Sequence, residues 1–121
     1  MAAKRPSIMR SAVLALGVVA TAMLSISCST GSRPSAAPQT RTVEIRVSKF
    51  MPENLDVNVG DTVEFKNSDI VPHTATSTAS AAFDSGRIGV GESWKYVAGK
   101  KGVYDYECSF HPNMHGKIVV Q

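Results

Sequence analysis

Cys108-Ser109-Phe110-His111-Pro112-Asn113-Met114 sets a thiolate, an imidazole and a thioether at i, i+3 and i+6. A second imidazole, His73, stands far upstream behind Pro72. Two imidazoles and one thiolate, with a long and weak axial thioether, make the trigonal donor set of blue-copper electron-transfer centres. Such a set accepts both Cu(I) and Cu(II), and copper tops the divalent affinity order. Protein donors would fill every position, whereas a catalytic metal normally keeps one for water or substrate. The expected chemistry is passage of an electron, so the chain is not expected to be an enzyme. Zinc is the competing metal, because a donor set of two His and one Cys suits it as well. Taken singly, Cys108 reads as a small buried hydrophobe, Met114 as core filler and each His as an ordinary surface or core residue. The combination is what points to a metal.

Those side chains need a rigid frame. From Arg41 onward the pattern is that of strands. Thr42 to Ser48, Leu55 to Val59 and Thr62 to Lys66 alternate apolar and polar residues, with the turn pair Gly60-Asp61 between the last two. Further strands are expected at His73 to Ser77, Ser93 to Val97, Val103 to Cys108 and Lys117 to Val120, with Trp94 and Tyr96 as core residues. No later segment has a 3.6-residue apolar period. Many short strands separated by glycine turns predict an all-β, antiparallel sandwich or barrel. Cys108 would end one strand and Met114 would precede the next, entered at Gly116, with Pro112 stiffening the short loop between them.

The N-terminal part reads as a targeting device. Lys4, Arg5 and Arg10 precede an apolar, almost uncharged stretch from Ser11 to Ser27, and small residues follow. That is the pattern of a secretory signal peptide, with a retained membrane helix as the alternative. Leu24-Ser25-Ile26-Ser27-Cys28 resembles a bacterial lipoprotein signal, in which the Cys after the cut receives lipid. Ser25 stands where that pattern prefers Leu. The alternative is an ordinary cut nearby. The expected organisation is a signal peptide over 1–27, a flexible Pro/Ser-rich tether over 28–40 and a copper-binding domain over 41–121. The mature protein is then expected in the periplasm or on the outer face of the cell membrane, lipid-anchored through Cys28.

Charge and cysteine counts agree with this division. The chain has 13 Lys+Arg against 10 Asp+Glu, and losing Lys4, Arg5 and Arg10 leaves 10 against 10. A near-neutral domain without a basic run is not expected to bind nucleic acid. With two Cys, one in the lipid position and one in the metal motif, no disulfide is expected. A bound metal would then help to stabilise a small domain.

From about Arg41 to Gln121 the chain resembles the cupredoxins, in particular the amicyanin/plastocyanin group. The resemblance is carried by Val59 to Val63, Pro72-His73, Phe83 to Gly86, Gly102 to Cys108 and His111 to Val120. It implies a Greek-key β-sandwich with one type 1 copper at one end, held by His73, Cys108, His111 and Met114. The two-residue gap between His111 and Met114 is similar to amicyanin. Many relatives have Asn after the first His ligand, bonded across to the Cys loop; here Thr74 stands there, with Ser109 as its expected partner. Glu107 stands where plant plastocyanins carry a docking Tyr. The implied electron port is the edge of His111, ringed by Met51, Pro52, Pro72, Phe110 and Pro112, unless Phe110 and Met51 pack in the core. His115 is expected to be a solvated bystander.

The function expected is single-electron transfer between redox proteins of the cell envelope by a monomer. The alternative is a copper chaperone or sequestering lipoprotein on the same fold. Complete caging by four donors favours the carrier. A copper enzyme would need further histidines, and the chain has three.

Overall fold

The computed structural model describes Gly17 and residues 36–121. The expected signal peptide, Cys28 and most of the tether lie outside the described residues.

Eight strands form two four-stranded sheets. They are β1 (Thr40–Arg46), β2 (Lys49–Met51), β3 (Asn54–Val57), β4 (Thr62–Asn67), β5 (Thr76–Ser77), β6 (Ser93–Val97), β7 (Gly102–Cys108) and β8 (His111–Val120). The sheets run in the orders β2-β1-β4-β6 and β3-β8-β7-β5. No helix occurs among the described residues. The all-β sandwich expected from the alternating pattern is present, but its strands are not all antiparallel. β1 pairs parallel with β4, and β3 pairs parallel with β8. A parallel pair needs a crossover. The chain supplies one by turning back at β2 and then placing β3 in the other sheet before it returns as β4.

Alternation places Val43 and Ile45 of β1, Val63 and Phe65 of β4, Tyr106 of β7 and Ile118 of β8 in the core. Phe65 meets Tyr106 edge-on at 5.3 Å, and Phe50 meets the same ring at 4.7 Å. Trp94 and Tyr96 are partly buried and pack against this cluster. Gly116 lies directly beneath the Tyr106 ring, where a Cβ would overlap it. The glycine of β8 is therefore required by a close approach from the neighbouring strand.

Three boundaries differ from the sequence pattern. The strand expected over Thr42 to Ser48 stops at Arg46, because Val47 and Ser48 turn with φ of 50° and 53°. The one expected over His73 to Ser77 shrinks to β5, with His73 held by an isolated bridge to Ile88. The last strand begins at His111 and not at Gly116, so the metal-motif loop is itself largely strand.

At the opposite end, Asp61 ties the entry of the chain to the β3–β4 turn. Its carboxylate accepts from the backbone N–H of Gln39 at 2.8 Å and of Asn58 at 2.9 Å. These donors, Asn58 foremost, hold the carboxyl below the usual range. A depressed carboxyl stabilises the fold at neutral pH and stops doing so as pH falls through its folded-state value. Thermal melting from about pH 5 down to about pH 2 should fall more steeply for the native chain than for Asp61→Asn. Parallel curves would mean that Asp61 carries no such linkage.

Candidate metal centre

The site is built where β7 hands over to β8. The pairing register slips between Glu107 and Cys108, and Cys108 then faces His111 across a two-residue turn. This irregularity turns both side chains to one point. His73 comes from the separate loop after β4. Its backbone makes two hydrogen bonds with Ile88, of 3.1 and 2.7 Å, so its position is fixed before any ion binds.

Cys108 and His73 are fully buried, Met114 is nearly so, and His111 is half-buried. The Cys108 Sγ lies 3.7 Å from His73 Nδ1 and 3.6 Å from His111 Nδ1. One donor atom from each of these residues falls within 4.8 Å of the others. Donors bound to one metal at about 2.0–2.3 Å stand apart by just such separations. Met114 opens the inward-facing series Met114, Gly116, Ile118 and Val120 of β8. His73, Cys108, His111 and Met114 are thereby positioned as a type 1 copper site.

The surrounding bonds orient these donors. The Thr74 N–H donates to Cys108 Sγ at 3.3 Å, and the Ser109 N–H donates to Thr74 Oγ1 at 2.7 Å. Thr74 thus supplies the brace across to the Cys loop for which the sequence offered only an expectation. Thr76 Oγ1 lies 3.2 Å from both Thr74 Oγ1 and Ser109 Oγ, which extends the brace into β5.

Asp69 is the participant that sequence reasoning missed. Its carboxylate accepts from the Ser48 and Ile70 N–H groups, each at 2.8 Å, and lies 3.0 Å from His73 Nε2. The Ser48 and Ile70 donors, with His73 adding to them, hold the carboxyl below the usual range. An ionised carboxylate at Nε2 keeps the proton on that nitrogen and leaves Nδ1 as the free donor facing Cys108. The available signal was an acidic residue four positions before His73. Its partner Ser48, across the left-handed turn, could not be read from the chain. Asp69→Asn removes a negative charge that favours the more highly charged ion. The Cu(II)/Cu(I) affinity ratio should fall about tenfold, raising the potential by about 60 mV. Redox titration of the visible band measures this, and an unchanged potential would separate Asp69 from the site.

Phe110, next to the half-buried His111, is 50% exposed, and Met51 of β2 is 44% exposed. Phe110 and Met51 are therefore surface residues and not core. Phe110, His111, Pro112, Asn113 and Met114 line a surface depression with Ser48. His115 is exposed on the other face of β8, its Nδ1 3.9 Å from a Glu107 oxygen, and takes no part in the cluster.

A cupredoxin-like domain profile matches residues 15–120. The chain belongs to the cupredoxin-like family. Amicyanin of Paracoccus denitrificans is 34% identical over 83 residues, 65% of this chain and 63% of that protein. A purple cupredoxin from Nitrosopumilus maritimus superposes with a TM-score of 0.61 at 31% identity, covering 66% of this chain and 98% of its own. A reduced Cu(I) form of an amicyanin variant superposes with a TM-score of 0.64 at 31% identity, covering 68% and 82%. These neighbours share the sandwich described above.

Proposed function

We propose that this protein carries single electrons between redox proteins of the cell envelope through one copper ion held by His73, Cys108, His111 and Met114, and that it is not an enzyme. The observation that carries this reading is the buried Cys108 sulfur flanked by two imidazole nitrogens at 3.6 and 3.7 Å, with Cys108 held by the Thr74 N–H and the His73 ring by Asp69. Copper bound there supplies a one-electron Cu(II)/Cu(I) couple. The chain's residues do the rest. Thr74 and Ser109 hold the Cys loop, Asp69 fixes the His73 ring, and burial of Cys108 and His73 excludes water. A preset geometry keeps rearrangement between oxidation states small. His111 is the donor that reaches solvent, so its edge is the port, and the exposed Phe110 with Pro112 beside it suits brief docking.

The first test is absorption of the full chain after addition of Cu(II), followed by ascorbate. An intense visible thiolate-to-copper band that bleaches and returns on oxidation is expected. A colourless complex would overturn the carrier in favour of zinc binding or copper sequestration.

Phe110→Ala should leave that band intact and slow electron self-exchange between oxidised and reduced copies about tenfold, as expected when a contact worth about 1.4 kcal/mol is truncated. NMR line broadening reads the rate. Loss of colour instead would make Phe110 structural.

Export, the cut before Cys28 and its lipidation belong to the same proposal. They are supported by the charged start, apolar stretch and small residues of 1–28. Among the described residues, no helix is long and apolar enough to cross a membrane. Intact mass of the protein from the cell envelope should correspond to a chain that begins at a lipid-modified Cys28. An unmodified N-terminus would remove the anchor.

A further inference from the structure

The pole opposite the metal centre carries a surface that electron transfer does not use. β7 runs from Gly102 at this pole to Cys108 at the site, a distance of about 20 Å at strand rise. Tyr96, Val97, Lys100, Lys101, Val103 and Tyr104 line one cavity there, the largest described, at about 570 Å³. Val97 and Val103 are each 60% exposed, and Val59 on the adjoining turn is 44% exposed. Gly60, next to Val59, bonds through its N–H to Ala98 at 2.8 Å, which holds that turn against the end of β6. Lys100 and Lys101 are exposed, and neither makes an ion pair among the described residues. Exposed valines beside unpaired lysines are the composition of a surface that meets an anionic, partly apolar boundary.

The chain itself indicates which boundary. Thr40 pairs with Thr62, and Thr62 pairs with Val97, so the tether enters two strands from Val97, about 10 Å away. From Cys28 to Thr40 the chain spans at most about 40 Å. A lipid on Cys28 would therefore attach the domain to the bilayer from this pole. We infer that the pole formed by Val59, Val97, Val103, Lys100 and Lys101 rests on an anionic lipid surface and stands the domain with His111 turned away from the membrane. The inference depends on the lipid anchor proposed above and adds an orientation to it. Partners then approach His111 from the aqueous side. Nearby, Arg41 shares a cavity with the carboxylates Asp56 and Asp61, so three cations face two anions and the pole keeps a single net positive charge, carried by the unpaired lysines.

The test uses the full chain as it is isolated from the cell envelope. It is reconstituted in vesicles of phosphatidylcholine, alone or with one part phosphatidylglycerol, and treated with an impermeant amine-acylating reagent. Mass spectrometry reads each lysine. Each basic residue at an anionic surface gains roughly fivefold in local affinity, so Lys100 and Lys101 should be acylated at least about fivefold more slowly on phosphatidylglycerol. Lys49, near the metal end, should not change, and high salt should abolish the protection. Uniform acylation on vesicles that still carry the chain on flotation overturns the orientation and leaves the anchor standing. A chain that does not float with vesicles removes the anchor and the orientation with it. Slow acylation of both lysines in detergent, without vesicles, means that a second copy covers the pole and overturns the proposal.

Discussion

Cys108→Ser abolishes the intense visible band while the apo domain still folds. The thiolate is the only soft anionic donor in the cluster, and a serine hydroxyl at neutral pH is neither anionic nor soft. Two imidazoles and a thioether remain, a set that holds Cu(I) and Cu(II) without a thiolate charge-transfer transition. Copper affinity should fall by at least about 100-fold, the upper range for loss of an orienting group beyond the donors themselves. The fold should tolerate the change. Cys108 is fully buried, and serine is similar in size, but the hydroxyl retains a partner in the Thr74 N–H that now bonds Sγ at 3.3 Å. A net cost of about 1–2 kcal/mol is expected. Absorption with added Cu(II) and thermal melting of the apo protein separate the two effects. Retention of the band would place the chromophore elsewhere, and loss of the fold would make Cys108 a core residue first.

Asn67→Ala should be the most damaging polar substitution in the domain. Asn67 ends β4 with its side chain fully buried. Its amide donates to the carbonyls of Val71 at 2.9 Å and Ile88 at 3.0 Å, and its Oδ1 accepts from the Asp69 N–H at 2.9 Å. The loop that carries Asp69 and His73 is thus tied to β4 and to Ile88, which itself bridges His73. Alanine would leave the Val71 carbonyl and the Asp69 N–H without these partners. At about 1–3 kcal/mol for each group left unpaired, a loss of about 3–4 kcal/mol is expected. In a domain this small, that lowers the apo melting temperature by about 15 °C or more. The copper form should also show a weakened or shifted visible band, because Asp69 and His73 lose their common anchor. Melting of the apo protein and the spectrum of the copper form test both parts. A drop of only about 2–3 °C would mean that water replaces the amide, and that the loop is held by its backbone bonds alone.

The two substitutions act at different depths of legibility. Cys108, His111 and Met114 share one short segment, and their donor atoms are chemically distinctive, so spacing alone suggested a common target. The strands that frame them were legible because alternation has a period of two wherever one face is buried. Val63 and Phe65 alternate inward in β4 as that rule requires. Turns were less legible. Nothing in Arg46-Val47-Ser48-Lys49 announces a left-handed pair, since a β-branched residue rarely adopts positive φ. The structure places the turn there, where the Ser48 N–H bonds Asp69 at 2.8 Å.

The sequence by itself determined the donor types, the all-β character and the candidate export signal, because each is written in local composition and short-range period. It also named Thr74 and Ser109 as partners, without deciding whether they meet. Tertiary structure alone decided the parallel pairings of β1 with β4 and β3 with β8, the service of Asp69 to His73, and the role of Asn67 behind both. These are contacts between segments whose residues are common and polar, and their meaning arises from where the crossovers set them down. Hydrogen bonds of that kind leave no period in a sequence. They form only after the hydrophobic faces have fixed which loops become neighbours.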